Sequence, residues 1–355
     1  MSCGHPTTRH CWRRTDDYTP GTPKLKLVVE EMPATLLPYQ VLIKVHAVAL
    51  NYRDANISNG GNPWPVTPNG IICNDAAGEV VEAGEAVRRF KVGDRVAPNT
   101  DSENITGRET QRSWLAADED GVLADYLVFD EWKVAKLPSH LGWTEACLIP
   151  CAGVTAWSAL KGLEAGQTAL IQANHTLNQG TGGVAMFALK IAQAAGYRVI
   201  LTSSSDEKLA AIQAQFTAAR ILTVNYRNAT WHEEVLRLTD GVGVDLVLEN
   251  GGTGSLVQSV QCTRRGGIVS QVGYLGKQNP EDLKELLPTL IDRRVNLRGI
   301  NAGSVQDFED LVTAISAMKM RFFDIVDTVF PFSQSEEALE YLWQGKQVGK
   351  IVLEL

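Results

Sequence analysis

The sequence lacks any apolar run approaching the roughly 20 residues that a membrane-spanning helix needs. It also lacks a basic excess, because 33 lysines and arginines stand against 41 aspartates and glutamates, giving a net charge of −8. The absence of a basic field to hold phosphates argues against general nucleic-acid binding. The opening residues, MSCGHPTTRHCWRR, have no apolar core, so we expect no secretory signal and a cytoplasmic location.

Cysteine is scarce, and the six residues are scattered: Cys3, Cys11, Cys73, Cys147, Cys151 and Cys262. Their spacing matches no disulfide framework, which predicts reduced thiols. Two cysteines and two histidines fall within the first 11 residues, but nothing nearby fixes a tetrahedral metal geometry. We interpret residues 1–23 as a polar, mobile lead-in.

The 355 residues are enough for two domains, and two different patterns of predicted secondary structure follow one another along them. Between Val41 and Val134, short strand-like segments are separated by Pro, Gly and Asn, a pattern typical of a compact β-barrel-like domain. Residues 99–120 are polar and predict a long surface loop. From Thr168 onward, strands and helices alternate regularly, which predicts a parallel, doubly wound α/β sheet with the six strands of a Rossmann fold.

The predicted elements of this second part have the following bounds. Strands are expected at 168–172, 197–201, 221–224, 244–248, 267–272 and 295–300. Helices are expected at 184–195, 206–216, 231–238, 253–262 and 280–292, followed by helices at 305–319 and 335–344 and a last strand at 351–355.

A glycine turn follows the first of these strands, with Gly180, Gly182 and Ala185 in the spacing G-x-G-x-x-A. Such a turn lets backbone approach a pyrophosphate at the positive end of a helix. Residues 173–179 (ANHTLNQ) stand before the first glycine, where a turn of two or three residues is usual. This insertion could bulge outward, shift the turn, or place Asn174 or His175 over the pyrophosphate groove.

Several motifs share the order and spacing of one known family. They are NYRDAN (51–56), DAAGEVVEAGEAVRRFKVGDRV (75–96), GVLADYLV (121–128), PCAGVTAW (150–157), GTGGVAMFALKIAQAAG (180–196), TSSSDEKL (202–209), NYR (225–227), GGIVSQVG (266–273) and VFPFSQSEEALEYL (329–342). From about Leu25 to Leu355 the chain resembles the medium-chain dehydrogenase/reductase superfamily, and specifically its zinc-independent, quinone-oxidoreductase-like branch.

The resemblance implies a GroES-like β-barrel catalytic domain at residues 1–152 and 303–355. It implies a Rossmann NADP(H)-binding domain at residues 153–302, with nicotinamide and substrate meeting between the two. Relatives often dimerise through the edge of the Rossmann sheet, here near Asn296–Ile300, so a homodimer is expected.

Zinc-dependent relatives supply ligands at three places, and this sequence departs from two of them. The first place reads NYRD (51–54), with no Cys, and the second has Asn74 where His would stand. Cys151 keeps a ligand-type residue at the third place, but one thiolate cannot hold Zn²⁺, which needs three protein ligands. The four-cysteine structural lobe is also missing, so we expect no metal.

The end of the second Rossmann strand indicates which nicotinamide cofactor binds. An NAD-selective fold has a carboxylate there to bind the ribose 2′-hydroxyl. This sequence has Ser203, Ser204 and Ser205 instead, with Lys208 one helical turn beyond, whereas Asp206 is expected to cap the following helix. In the family that the chain resembles, S-S-S-x-x-K binds the phosphate of NADPH, so NADPH is the expected cofactor. The alternative is a plain helix-capping turn with a solvated lysine.

Further cofactor contacts are expected at strand ends and turns, partly from the doubly wound topology and partly from the resemblance. They are Thr155, Gly180, Gly182, Gly183, Val184, Asn225, Tyr226, Asn250, Gly251, Val272, Gly273, Leu275 and Asn301. Gly251 and Gly273 could equally be turn glycines without a ligand.

The catalytic candidates are Tyr52, which could orient substrate or donate a proton, and Asn51. Without zinc, reduction of a conjugated C=C bond or a quinone is easier than reduction of a simple carbonyl, because the charge delocalises into an enolate. We therefore expect an NADPH-dependent oxidoreductase acting on an activated alkene or quinone, a small apolar or conjugated carbonyl compound. The alternatives are a zinc-free alcohol dehydrogenase or carbonyl reductase, and a non-catalytic binding protein whose cofactor loop is disrupted by residues 173–179.

Overall fold

The computed structural model describes residues 5–172, 182–216, 221–273 and 278–355. The inserted segment 173–179, Gly180 and Leu275 therefore lie outside the described residues. The chain divides into two compact units, of which unit 1 comprises Met1–Val154 with Gly303–Leu355 and unit 2 comprises Thr155–Ala302. No helix within the described ranges is long and apolar enough to pass through a membrane.

The described residues form strands and α-helices with the following bounds. The strands are β1 Thr8–Arg14, β2 Leu25–Glu31, β3 Gln40–Ala49, β4 Asp75–Ala83, β5 Arg95–Pro98, β6 Tyr126–Asp130, β7 Val134–Lys136, β8 Thr168–Gln172, β9 Arg198–Ser203, β10 Ile221–Asn225, β11 Val244–Glu249, β12 Thr263–Gln271, β13 Asn296–Gly299, β14 Val326–Pro331 and β15 Lys350–Glu354. The α-helices are α1 Tyr52–Ser58, α2 Trp143–Ala146, α3 Val154–Leu160, α4 Gly183–Ala194, α5 Asp206–Gln215, α6 Trp231–Leu238, α7 Thr253–Cys262, α8 Leu286–Arg293, α9 Val305–Met318 and α10 Ser335–Trp343.

Unit 2 is built around a six-stranded sheet in the order β10-β9-β8-β11-β12-β13. Every neighbouring pair is parallel, and the chain crosses from one half of the sheet to the other between β10 and β11. This is the Rossmann order, which confirms the expected doubly wound sheet. β8 is buried along its whole length, as expected of a strand that is covered on both faces. Its apolar residues allowed the strand to be predicted from the sequence.

Unit 1 is built around a seven-stranded sheet in the order β14-β15-β3-β4-β5-β7, with β6 pairing β3. β15 runs antiparallel to β3, so the last strand of the chain lies beside the first long one. The core correspondingly draws on distant parts of the sequence, including Val41, Leu123, Leu339 and Ile351. The GroES-like expectation is confirmed at the level of fold.

Two local expectations were wrong, and a third holds only in part. Residues 99–120 form a loop that is exposed over 106–112, but Asn99 and Ser102 near its start are fully buried. The single helix expected at 280–292 is a 3-10 turn, Pro280–Leu283, followed by α8. The expected mobile lead-in is instead an ordered hairpin, because β1 pairs antiparallel with β2 over seven residues and Cys11 is completely buried.

Two arginines of this hairpin hold the loops that surround α1. Arg13 donates to the backbone oxygen of Asn69 and, through two bonds of 2.9 and 2.8 Å, to the Asp120 carboxylate. Arg14, only 1% exposed, donates to the backbone oxygens of Thr67 and Ala116. The hairpin therefore positions two loops, residues 59–74 and 99–120, that flank α1.

Replacing Arg14 with alanine should lower the free energy of unfolding by about 2–4 kcal/mol, because two buried carbonyls and Asp16 lose their donor. Urea unfolding followed by tryptophan fluorescence measures this. Lys26→Ala, an exposed position in the same hairpin, is the control and should change stability by less than about 0.5 kcal/mol. Equal effects of the two substitutions would show that the hairpin is not an integral part of unit 1.

Candidate active site

The three places where zinc-dependent relatives hold ligands come together in unit 1 as a hydrogen-bond network. The Asn51 side-chain nitrogen donates to Asn74 Oδ1 at 3.0 Å and to Asp75 Oδ2 at 2.8 Å. The backbone N–H of Cys151 donates to Asp75 Oδ1 at 2.5 Å. The three places therefore lie near one another and are joined by the side chains of Asn51, Asn74 and Asp75 and by the Cys151 backbone.

Lys350 completes the network from the far end of the chain. It begins β15, and the pairing of β15 with β3 carries its side chain inward. Its ammonium group donates to Asn51 Oδ1 at 2.7 Å and to Asp75 Oδ2 at 3.1 Å, and both charged side chains are buried, at 3% and 0% exposure. Sequence reasoning missed Lys350 and Asp75, although a lysine beside the apolar run IVL is a recognisable signal of a buried charge.

The network engages both polar atoms of the Asn51 amide. Its oxygen accepts from Lys350 and its nitrogen donates to two acceptors, which uses its polar atoms. The backbone N–H of Asn51 donates to Asp54 Oδ2 at 2.7 Å, which closes the start of α1. Asn51 therefore holds the loop and the helix start in place.

These contacts do not fit a zinc ion. Asn51 and Asn74 are neutral amides that bind each other, which leaves Cys151 as the one ligand-type side chain at the three places, and burial raises the pKa of its thiol. A divalent cation among them would lie beside the buried ammonium of Lys350 and be repelled by it. Within the described residues, no group of three His, Cys, Asp or Glu side chains could hold a metal ion.

Burial dominates the electrostatics of the two carboxyl groups. It raises the pKa of Asp75, with the Lys350 charge and the Asn51 hydrogen bond acting in the opposite direction. It also raises the pKa of Asp54 to about 6, because Asp54 is 1% exposed and its Oδ1 has no hydrogen-bond partner among the described residues. The Asn51 backbone bond and Arg53 oppose this shift without cancelling it.

The neighbouring residues of α1 are placed differently from one another. Tyr52 is half-buried, and its hydroxyl has no hydrogen-bond partner in the part of the chain that the structure describes. It is therefore available to a ligand. Arg53 donates to the backbone oxygen of Leu115 at 2.9 Å.

In unit 2, the carboxyl ends of β8 and β11 meet at the point where the strand order reverses. Gln172 Nε2 donates to Glu249 Oε2 at 2.6 Å, and the Gln172 side-chain oxygen accepts from the Asn250 N–H at 3.0 Å. Glu249 is fully buried and also accepts from Ser255 and from the Gly251 N–H, each at 2.6 Å. Ligands bind in such a crevice in open α/β sheets. Glu249 was not singled out from sequence.

The three serines at the end of β9 differ in how accessible they are to a ligand. Ser203 is buried, and Ser205, not Asp206 as expected, caps α5 by accepting the Lys208 N–H at 3.3 Å. Asp206 instead accepts from the Asn225 side chain at 2.9 Å. Ser204 is half-buried, and the Lys208 ammonium has no ion-pair partner within the described ranges.

The remaining expected cofactor residues are spread along the same carboxyl edge and the helices beside it. Gly182 is the N-cap residue of α4, and among the described residues no heavy atom lies within 4 Å of a Cβ placed on it. Val272 and Gly273 turn back onto the Glu249 backbone oxygen. Gly183 and Val184 lie in α4, and Thr155 lies in α3. Tyr226 follows β10, and Asn301 follows β13.

The polar side chains and the N-terminus of α4 in unit 2 are of the kind that binds a nicotinamide dinucleotide. The helix N-terminus favours a pyrophosphate, and polar side chains stand at the ends of β8, β9, β10 and β11. A Rossmann unit joined to a GroES-like unit defines a class, the two-domain nicotinamide-dependent dehydrogenases and reductases.

Comparison with known proteins gives the family. A model described as "Zinc-binding dehydrogenase" matches residues 183–317, and one described as "Alcohol dehydrogenase GroES-like domain" matches residues 37–139. A zinc-type alcohol dehydrogenase-like protein of Schizosaccharomyces pombe is 37% identical over 344 residues, covering 96% of this chain and 97% of that protein. The chain belongs to the medium-chain dehydrogenase/reductase superfamily and is an oxidoreductase of that family.

Solved structures agree with this assignment. A crystal structure of a proposed alcohol dehydrogenase from Sinorhizobium meliloti 1021 has a TM-score of 0.84 and 32% identity, covering 99% of this chain and 100% of the other. The 2-octenoyl-CoA carboxylase reductase CinF, solved with NADP and 2-octenoyl-CoA, has a TM-score of 0.77 and 22% identity, covering 99% and 88%. The second likeness shows the fold alone.

The raised pKa of Asp54 predicts a specific pH dependence. Because its folded pKa of about 6 exceeds the ordinary 3.8, the folded state binds more protons than the unfolded state between these values, and stability falls as pH rises through that window. Asp54→Asn removes the titration while keeping an acceptor for Asn51. The variant should therefore gain about 2–3 kcal/mol relative to wild type between pH 4 and pH 7.

Urea unfolding of both proteins at several pH values measures this difference. Asp292→Asn, at a side chain that is 75% exposed, is the control and should show no such trend. A constant difference between wild type and Asp54→Asn from pH 4 to pH 7 would rule out a buried titrating Asp54.

Proposed function

We propose that this protein uses NADPH to reduce an activated C=C bond or a quinone, without a metal. One observation carries the proposal: Asn51, Asn74 and Cys151, at the places of the zinc ligands, are tied into a hydrogen-bond network with the buried ion pair of Asp75 and Lys350. A metal-free site has no Lewis acid to stabilise charge on a simple carbonyl oxygen. It therefore suits substrates whose own conjugation spreads that charge.

A bound nicotinamide would supply the hydride, and the protein must orient the substrate and provide a proton. With an enone, hydride adds to the β-carbon, the C=C electrons move to oxygen, and the resulting enolate takes a proton at the α-carbon. Tyr52 is the candidate for orienting the substrate or delivering that proton, because its hydroxyl has no partner among the described residues. Asn51 acts by holding the start of α1, since its amide is already occupied.

The preference for NADPH rests on the end of β9. Ser204 and the Lys208 ammonium offer a donor and a charge for a 2′-phosphate, and the strand ends in Ser203 rather than in a carboxylate. Asp206 and Glu207 lie nearby and would oppose a phosphate, but Asp206 is bonded to Asn225 and Glu207 to Ser205. A protein of this fold that carries NADP together with an enoyl thioester shows that such a pairing is compatible with the architecture.

A second candidate is a zinc-free alcohol dehydrogenase or carbonyl reductase. The relatives that share 37% and 32% identity with this chain bear alcohol-dehydrogenase names, which favours it. Substrate tests separate the two reactions, because both need the same cofactor.

Lys208→Ala should raise the Michaelis constant for NADPH by about 10- to 100-fold, which corresponds to the loss of one charge-assisted bond to phosphate. The constant for NADH should stay within about twofold, because NADH has no 2′-phosphate. Initial rates with both cofactors give the answer, and parallel changes for NADPH and NADH would place Lys208 outside the phosphate site.

Oxidation of NADPH by the purified protein should proceed with a quinone and an enone and be at least about tenfold slower with a simple aldehyde. Dialysis against a chelator should leave the rates unchanged, because Asn51, Asn74 and Cys151 do not form a zinc site. Activity on the aldehyde alone, or loss of activity that added zinc restores, would overturn the proposal.

A further inference from the structure

Arg53 is a half-buried cation that forms no ion pair with any residue that the structure describes. It lies in the first turn of α1, and its Nη1 donates to the backbone oxygen of Leu115 at 2.9 Å. Its Nη2 is buried and has no hydrogen-bond partner among the described residues. A buried guanidinium nitrogen without an acceptor is costly, so its position calls for an explanation.

The acidic groups around Arg53 make no hydrogen bond with its guanidinium. Asp54 accepts from the Asn51 N–H, and Asp118 accepts two bonds, of 3.0 and 3.1 Å, from Arg112. Both carboxylates, and the nearby Cys151, act on Arg53 at longer range, and the Arg112 charge opposes them. The guanidinium is thus held in place but forms no ion pair within the described residues.

An aromatic wall stands beside this cation. The Arg53 guanidinium lies over the Trp114 ring at 5.3 Å, and Trp64 meets Trp114 edge to face at 6.2 Å between centroids. Trp64 is 45% exposed, so the wall has an open side. The Trp114 ring nitrogen is a second buried donor that has no partner in the described part of the chain.

Arg112 shows what distinguishes Arg53. Its guanidinium lies over the same Trp114 ring, at 4.4 Å, but it is paired with Asp118 through both nitrogens and is largely exposed. The Arg112 charge is therefore already paired with the Asp118 carboxylate. Arg53 lies next to Tyr52 on α1, the residue with the available hydroxyl.

We propose that Arg53 binds the carbonyl oxygen of the substrate and stabilises the negative charge that develops there, while the flat part of the substrate lies against Trp64 and Trp114. This inference rests on the proposed function and assigns its substrate class: a planar conjugated carbonyl compound, such as a quinone or an aryl enone. The Arg53 side chain acts as the charged donor of an oxyanion site.

The step balances without a further reactant. Hydride and its electron pair pass from the reduced cofactor to the β-carbon, the C=C π bond opens toward the carbonyl, and the enolate oxygen accepts a hydrogen bond from the Arg53 guanidinium. Arg53 keeps its proton, because a guanidinium does not deprotonate in proteins. One proton from the solvent or Tyr52 then goes to the α-carbon, giving the saturated ketone and the oxidised cofactor.

Two variants and a matched control test the assignment by kinetics. Arg53→Gln should lower kcat for an aryl enone by about 100-fold or more, which is typical for loss of one oxyanion donor, and leave the Michaelis constant for NADPH within about threefold. Arg53→Lys should recover part of kcat, because it restores the charge. Arg112→Gln should keep kcat within about twofold. Equal losses in Arg53→Gln and Arg112→Gln would overturn the proposal.

A binding measurement tests Arg53 without turnover. 4-Nitrophenol is planar, carries an oxygen whose ionisation changes its absorbance, and resembles the enolate. Titrated against the wild-type protein with NADPH, its anion should bind about tenfold or more tightly than its neutral form, and Arg53→Gln should abolish that preference while Arg112→Gln keeps it. If wild type fails to oxidise NADPH with any substrate but retains this preference, the reductase proposal fails and the Arg53 site stands. If Arg53→Gln binds the anion as wild type does, the Arg53 site fails regardless of turnover.

Discussion

The ion pair between Lys350 and Asp75 is the constraint on which the candidate site depends. It joins the last strand of the chain to the start of β4, and Asn51 lies between the two charges with all its amide atoms engaged. A buried pair of this kind is not evidence of net stability, but removing either partner leaves an uncompensated charge. The pair therefore fixes the start of α1, and with it the side chains of Tyr52 and Arg53. It also fills the space between the residues that correspond to zinc ligands in relatives.

The loops around α1 depend on a second set of charges, which comes from the N-terminal hairpin. Arg13 and Arg14 bind backbone and carboxylate oxygens of the two flanking loops, and one of those loops carries Leu115, the acceptor for Arg53. The two ends of the chain thus support the same short helix, one through Lys350 and the other through the hairpin. Both supports are made of buried or half-buried charges with defined partners, so the geometry of the substrate-facing side chains is set by hydrogen bonding as much as by apolar packing.

Local pattern predicted the Rossmann sheet well, because parallel strands covered on both faces are continuous apolar runs, and β8 and β11 were placed within one residue. The N-terminal hairpin was missed because β1, TRHCWRR, is polar, and its arginines are buried only through partners far along the chain. The Lys350–Asp75 pair spans 275 residues, so no window of sequence contains both charges. Asn51 was predicted to be a catalytic candidate from its motif, but its role depends on that long-range pair. The availability of Tyr52 and the unpaired Arg53 likewise became visible only when their neighbours were in place.

The central claim is that hydride reaches carbon of a conjugated system in a site without metal. The most direct measurement is the position of the label after turnover of NADPH deuterated at the transferred position, with an aryl enone and chelator-treated protein. Mass spectrometry and NMR of the product should find deuterium on the β-carbon of a saturated ketone. Deuterium on the carbonyl carbon of an allylic alcohol, or label transfer that appears only after zinc is added back, would contradict the account.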